Sequence, residues 1–568
     1  MINNIQDLII KGKPSEEENI KEQSNYLRGT IVNDIKNKLT GSFDEKNSFL
    51  IRFHGMYQQD NRDIRKERNI QLLEPNYSMM LRVRIPGGRI TPKQWLAIDE
   101  FCDEYTLYKN IRITDRQTLQ IHGILKKNVK LIHKILHKVE LDSFATANDG
   151  NRNVICSTNP NIKSDLQEII YLFSKKISDY LLPKTNAYSE IWLDKKINTE
   201  DHEPILGKTY LPRKFKISIV VPPYNDVDLH ANDLNFIAIV KDNQLIGFNL
   251  LIGGGLSIEH NNKLTYARLA SEIGYFHVDK LFEVTKAVVT IQRDFGNRVN
   301  RKNAKTKYTI DRLGINFFKK EIEKRALLKF EKIKSYQLSM RYDDIGWVKN
   351  DKKEWYFTLF VENGRIMNKN NYELKNGIKE IAKIHKSFFY LTTNQNLIFA
   401  KIDNNEKSKI NEILNYYSLT KEISAQKKNS MACVSFPTCP LAMSEAERFL
   451  PSFIKKIEKI LYKCNLGNDY ITLRISGCPN GCARALLSEI GLIGKSLNYY
   501  NLYIGGNRLG TRIPRLYKEN INEKEIINIL EKLIILWSKN RNFNEIFGDF
   551  VIRTKIVKPV INSTYDFW

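Results

Sequence analysis

Apolar and polar positions alternate over MMLRVRIPGG (79–88), the pattern of a half-buried strand running into a Gly-Gly turn. TPKQWLAIDEFCDEY (91–105) switches to helical spacing behind a Thr-Pro start. NIRITDRQTLQIHGI (110–124) reads as strand, turn and strand, and VKLIHKILHKVEL (129–141) as a second helix. Strand, helix, strand and helix in so short a span predict an α+β unit. Residues 1–75 are polar, with helix-like pieces before FLIRFHGMYQQDNRD (49–63), and read as an extension rather than a core.

The same unit recurs downstream. WYFTLFVENGRI (355–366) resembles LRVRIPGGRI (81–90), with Gly364-Arg365-Ile366 on Gly88-Arg89-Ile90, an offset of 276 residues. FYLTTNQNLIFAKI (389–402) resembles IRITDRQTLQIHGI (111–124), with Thr392 on Thr114 at an offset of 278. Cys156 and Cys433 follow at an offset of 277. Three landmarks at nearly one offset predict an internal duplication. RKFKISIVVPP (213–223), LNFIAIVKDNQLIGFNLLIGGGLS (234–257), YITLRISGC (470–478) and YYNLYIGGNRLG (499–510) read as strands, and EKEIINILEKLIILW (523–537) as a helix. The glycines after strands, Gly253–Gly255 and Gly505-Gly506, suit tight turns or backbone approaching a flat ligand. KKEIEKRALLKFEKIK (319–334) reads as an ordinary charged helix face.

Composition changes this picture in two places. The chain has 568 residues, 42% of them hydrophobic, so it is too long for one core and too apolar for wholesale disorder. No apolar run reaches the 18 or so residues of a spanning helix, and the start lacks a secretory pattern, so a cytoplasmic protein is expected. The net charge of +25 suggests a polyanionic partner, although abundant lysine throughout the chain accounts for most of it. Local basic clusters matter more. Lys214 and Lys216 flank Phe215, Arg82 and Arg84 share a strand face, and Arg116, Thr118, Gln120 and His122 alternate along the next strand. Singly, each is a solvated sheet face; together, inside apolar strands, they predict a buried anion site.

The second place is cysteine. Seven are present, and four form two tight pairs, Cys433 with Cys439 and Cys478 with Cys482. The spacing C-x5-C then C-x3-C is atypical for a zinc knuckle, whereas four thiolates are the usual ligands of a [4Fe–4S] cluster. Pro479 suits the first turn of a helix over ARALLSEIGL (483–492), which would place Cys482 at its positive end. GGGLSIEHNN (253–262) is not a nucleotide-binding loop, so electrons for redox chemistry would come from another protein.

SNYLRGTI (24–31), IRFHGMYQQDNRDIR (51–65), KTYLPRKFK (208–216), NRKNAKTKYT (300–309), NSMACVSFPTCPLAMSEAERFLPSF (429–453), GCPNGCARA (477–485) and GGNRLGTRIPRLYKENI (505–521) carry a resemblance. They resemble, over essentially the whole length, the sirohaem nitrite and sulfite reductases, and among them the haemoprotein components of NADPH-dependent sulfite reductases. The resemblance implies an α+β, internally duplicated fold with two ferredoxin-like half-domains and two larger α/β cofactor-binding domains. The expected boundaries are a 1–75 extension that docks a flavoprotein, half-domains at 76–140 and 346–422, a sirohaem and substrate domain at 141–345, and a cluster domain at 423–568. It implies one [4Fe–4S] cluster on Cys433, Cys439, Cys478 and Cys482, with Cys482 also ligating the iron of one sirohaem. Arg82, Arg152, Lys214 and Lys216 match its anion-binding and proton-supplying residues, and Arg112, Arg116, Gln120 and Lys305 its sirohaem surroundings. The implied reaction is six-electron reduction of sulfite to sulfide for cysteine biosynthesis. NADPH, FAD and FMN enter only through a flavoprotein alpha-component in an α8β4 assembly, with no nucleic acid or membrane as partner. A nitrite reductase, a zinc-stabilised nucleic-acid-binding protein and a non-catalytic iron–sulfur carrier are the rivals.

Overall fold

The alternating segment around residue 80 becomes the second strand of a five-stranded sheet in a computed structural model that describes residues 8–370 and 372–568. Its strands are β1 (Met56–Asp60), β2 (Tyr77–Arg82), β4 (Ile111–Ile113) and β5 (Leu119–Ile124), in the order β1-β2-β5-β4, while β3 (Arg89–Ile90) leaves for another sheet. The helix Pro92–Tyr105 starts at a full capping box between Thr91 and Gln94 and buries Trp95, Ile98 and Phe101. A cap of this kind stabilises by about 1 kcal/mol, and each large buried side chain by about 2–3 kcal/mol.

The N-terminal segment is not a detached extension. Leu27, Ile31, Phe49, Leu50, Phe53 and Met56 belong to the main core, and β1 pairs with β2 along its length. Its helices Glu16–Glu22, Ile31–Lys36 and Glu45–Leu50 are too short for an apolar period to register in the sequence.

A second sheet contains β6 (Ile155–Cys156), β7 (Ile217–Val220), β8 (Leu234–Lys241), β9 (Gln244–Ile252) and β10 (Ser271–His277). β6, β7 and β8 run parallel, and β9 and β10 add antiparallel. A third contains β11 (Gly346–Lys349), β12 (Trp355–Leu359), β16 (Phe388–Leu391) and β17 (Leu397–Ile402). Between them lie β13 (Arg365–Ile366) and a ribbon of β14 (Asn368–Lys369) and β15 (Tyr372–Glu373). The order β11-β12-β17-β16 repeats that of the first sheet, and the two half-sheets exchange a strand: β13 completes the first on β4, and β3 completes the third on β16. Glycine makes the exchange possible. Gly88 and Gly364 have φ of +73° and +70°, and a Cβ on either would press into the backbone carbonyl of Leu391 or Ile113 in the opposite repeat. These three sheets belong to one structural unit, made of the chain up to Gly253, Ala270–Gln337 and Asp343–Thr420.

The second unit comprises Gly254–Leu269, Leu338–Tyr342 and Lys421–Trp568. Its sheet runs β18 (Ser430–Ala432), β19 (Leu473–Ser476), β20 (Ile490–Ser496), β21 (Tyr499–Ile504) and β22 (Arg515–Asn522). Three parallel strands followed by two antiparallel ones repeat the topology of β6–β10. Register fixes the correspondence. Leu234 N–H donates to Lys216 O and Gly253 N–H to Asp233 O, as Ile490 N–H does to Thr472 O and Gly505 N–H to Glu489 O.

That register moves one landmark of the duplication. Cys156 pairs with Ile219 and Ala432 with Ile475, while Ser157 N–H bonds Ile219 O and Cys433 N–H bonds Ile475 O. The counterpart of Cys433 is therefore Ser157, not Cys156. Two helix expectations also fail. Residues 483–492 form turns, a short 3-10 segment and the start of β20, because Gly481 and Arg484 adopt left-handed φ of +64° and +55°. The charged helix stops at Ala326, where Leu327 turns left-handed at φ +51°. Among the described residues no helix is long and apolar enough to cross a membrane.

Candidate functional site

The basic residues of the first unit come together in two groups. Across the first sheet, Arg82 pairs with Gln120, Gln120 with Arg112, and Arg112 with Arg365 of β13. Directly paired residues project from the same face, so three guanidiniums and one amide stand in a row across four strands. Arg112 Nη1 donates to Gln120 Oε1 at 3.4 Å and Arg365 Nη1 to Asn110 Oδ1 at 2.8 Å. Arg365 was not expected; its signal was its place in the repeat, opposite Arg89. Arg84 leaves the group, bound instead to Asp142 and Asp179 at 2.7 and 2.6 Å.

Arg82 and Arg152 meet on one carbonyl, donating to Thr146 O from Nη1 at 3.1 Å and Nε at 2.7 Å. Tyr57 of β1 joins them, its ring 5.8 Å from the Arg82 guanidinium and its phenol hydrogen-bonded with Arg152. Burial raises that phenol, but Arg152, Arg82 and Arg52 outweigh it and hold it below the ordinary tyrosine value. Tyr57 is a second residue missed by the sequence, where it sits within IRFHGMYQQDNRDIR (51–65) with no charge to mark it. Arg116 is tied into the scaffold by Asn232 Oδ1 at 2.8 Å and Asn153 O at 2.6 Å. His122 is buried neutral against Gln59, its imidazole driven well below its usual value by burial and then by Arg365, Arg112 and Arg82.

The second group surrounds Lys305. Burial, then Lys214, Lys307, Arg213 and Lys216, drive its ammonium well below the usual lysine value. Lys307 is fully buried and is a third unexpected member. Two like charges about 6 Å apart at an effective dielectric of about 20 repel by about 3 kcal/mol, so basic groups gathered in this way favour negative charge among them. Asn151 Oδ1, on the loop that carries Arg152, is buried with no hydrogen-bond partner. The donor set fits a polycarboxylate such as sirohaem together with a small oxyanion.

The thiols lie in the second unit. Cys433 follows β18, Cys439 lies six residues on, and Cys478 and Cys482 occupy the turns between β19 and β20. Burial, then Cys482 and Cys478, raise the Cys433 thiol well above its ordinary value, with Cys439 adding to the effect and the Gly477 N–H, 3.2 Å from its sulfur, opposing it. Burial, then Cys482 and Cys439, push Cys478 up to about 12. Four thiolates facing one another repel unless a metal centre supplies positive charge between them. Among the described residues no three His, Cys, Asp or Glu side chains close around a single ion. A multi-iron cluster is the group this set of thiols fits. Gly477, next to Cys478, packs so closely that a Cβ there would strike the Ser435 hydroxyl.

Residues 173–330 match the family described as nitrite and sulphite reductase 4Fe-4S domain, and residues 72–139 and 348–417 match the nitrite/sulfite reductase ferredoxin-like half domain. The chain belongs to the nitrite and sulfite reductase family, with its duplicated half-domains. Curated relatives include the "Sulfite reductase [NADPH] hemoprotein beta-component" of Serratia proteamaculans, 58% identical over 563 residues that cover 99% of this chain and 98% of that one. The protein of the same name from Escherichia coli is 58% identical over 562 residues, with 99% and 98% covered. The solved NirA protein of Mycobacterium tuberculosis shares the fold at a TM-score of 0.78, with 23% identity over 95% of this chain and 97% of that one. The segment 173–330 holds β7–β10 but none of the four thiols; the thiols lie on the second sheet of the same topology.

Proposed function

We infer that the chain reduces sulfite to sulfide as the haemoprotein half of an NADPH-dependent sulfite reductase, supplying sulfide for cysteine biosynthesis in the cytoplasm. The observation that carries this reading is one chain holding both four interacting thiols and a cluster of basic side chains suited to an anion. The names of relatives at 58% identity support it. Cys433, Cys439, Cys478 and Cys482 would hold a [4Fe–4S] cluster, and Cys482 would also reach the sirohaem iron. When bound, the two groups supply the electron path and the iron at which the sulfur is reduced. Arg112, Arg116, Gln120 and Lys305, joined by Arg365, would hold the sirohaem carboxylates. Arg82, Arg152, Lys214 and Lys216 grip the oxyanion and draw charge from its S–O bonds as oxygen leaves as water. Protons reach those oxygens from a lysine or from Tyr57, because arginine does not give up its proton.

Electrons come from a flavoprotein alpha-component carrying FAD and FMN, with α8β4 as the proposed assembly. Its proposed docking surface is the exposed rim of the N-terminal segment, where Leu39, Ile70 and Leu72 are 96, 74 and 94% exposed. The Thr40 hydroxyl ties this rim together through Glu74 at 2.6 Å. Leu72→Asp lowers NADPH-driven turnover and spares turnover with an artificial donor; equal loss of both discards the surface. The function itself is tested on the purified, cofactor-loaded chain. Sirohaem absorption, four irons with acid-labile sulfide per chain, and faster turnover of sulfite than of nitrite at equal concentration are expected. A colourless protein overturns the reading, and preference for nitrite redirects it.

A further inference from the structure

The two sheets of like topology carry a carboxylate at the same place, and its surroundings differ. In the second unit Glu489 precedes β20. Its Oε2 accepts from Thr472 N–H at 2.8 Å and from the Thr472 hydroxyl at 3.2 Å. Its Oε1 accepts from Gly548 N–H at 3.0 Å, and Arg508 Nε lies 3.5 Å from Oε2. That carboxylate is a satisfied brace of the fold. In the first unit Asp233 precedes β8 at the corresponding position, and its Oδ2 accepts from Lys216 N–H at 2.9 Å. Where the second sheet has Thr472, the first has Lys216, which lies beside Asp233 on the neighbouring parallel strand; burial raises the Asp233 carboxyl, and the Thr306 hydroxyl, Lys216 and Lys305 oppose that rise. The Lys305 ammonium is faced in turn by Lys214, Lys307, Arg213 and Lys216.

We propose that Asp233 is a positioning residue of the anion site: its carboxylate holds the Lys216 and Lys305 ammoniums in place and tempers the grip of Lys216 on the oxyanion, so that product can leave. The brace present in both sheets has been turned, in the first, into the countercharge of a cation cluster. A cluster of five cations without an opposing charge would bind an anion tightly and release it slowly. With Asp233 in place, the lysines also stay protonated to higher pH, ready to donate. This inference rests on the functional reading above and concerns only how its anion site is set.

The experiment uses the cofactor-loaded protein and measures sulfite affinity by calorimetry beside steady-state turnover across pH. Asp233→Asn keeps the acceptor for Lys216 N–H and removes the charge. Sulfite then binds about tenfold tighter while kcat falls about tenfold. The alkaline limb of the rate profile moves to lower pH, because an ammonium that loses its carboxylate deprotonates sooner. Asp233→Glu, which keeps the charge, retains wild-type affinity and the wild-type alkaline limb. Glu489→Gln in the second sheet changes neither. Weaker or unchanged sulfite binding in Asp233→Asn overturns the proposal, as a purely structural role would produce it. Should Asp233→Asn not hold its cofactors, an alkaline limb displaced to lower pH in Asp233→Glu overturns it equally. A wild-type protein that binds no sulfite would sink the functional reading instead.

Discussion

The sheets β6–β10 and β18–β22 share strand order, direction and register, yet one gathers cations and the other thiols. Ser157 stands in the first where Cys433 stands in the second, and Lys216 where Thr472 stands. The connection into the central strand also differs: residues 181–216 lie between the helix Ser164–Tyr180 and β7, against 464–472 between the helix Leu450–Lys463 and β19. The longer connection delivers Arg213, Lys214 and Lys216. The half-sheets diverge in the same way. The row Arg82–Gln120–Arg112–Arg365 has as its counterpart Thr358–Ile398–Tyr390–Arg89. Arg89, the one cation there, is neutralised by Glu168 at 2.5 Å and packed against Tyr171. Duplication supplied two equal frames, and a handful of side chains at matched positions divided the work between them.

The sharpest way to break the comparison is to give the second sheet the residue of the first. Cys433→Ser removes a proposed cluster ligand, and turnover falls about a thousandfold or more with loss of iron and acid-labile sulfide; retention of both would show that the thiol is dispensable. The reverse exchange, Lys216→Thr, leaves absorption and iron content intact and slows sulfite reduction about a hundredfold. Loss of cofactors would make Lys216 a structural residue. Gly364→Ala tests the strand exchange that lets Arg365 complete the cationic row. It forces a left-handed residue against Ile113 O and lowers stability by about 2–4 kcal/mol, read as a fall in Tm. The smallest effect concerns the long connection. Glu203 accepts from Lys184 N–H at 3.0 Å, and burial raises its carboxyl to about 7. A raised folded value gives stability that is present at low pH and lost as pH climbs from about 4.5 through 7. Glu203→Gln lacks that loss, so its Tm relative to wild type improves by a degree or two between pH 5 and pH 8; a constant difference would remove Glu203 from the account.

Much of the fold is legible along the chain because alternation and helical spacing are local. The helix Pro92–Tyr105 begins at the Thr-Pro that predicts it, and β4 and β5 occupy the predicted strand–turn–strand. Where the reading fails, distant contacts decide. The N-terminal segment reads as polar since its apolar residues are spread over short helices, yet the core takes them in. Pro479 suggests a helix that Gly481 and Arg484 prevent by turning left-handed. Arg84 reads like Arg82 until Asp142 and Asp179 claim it. Tyr57, Lys307 and Arg365 carry no local mark at all.

The sequence by itself determined the chemistry available: two cysteine pairs, a set of basic residues in apolar strands, and two copies of one folding unit. Those depend on residue type and spacing, which the chain carries openly. Only the tertiary structure decided which cations stand together, that Ser157 rather than Cys156 answers to Cys433, and that a strand from one repeat completes the sheet of the other. These follow from register between strands hundreds of residues apart, and a one-residue change in register alters every neighbour while leaving the sequence pattern untouched.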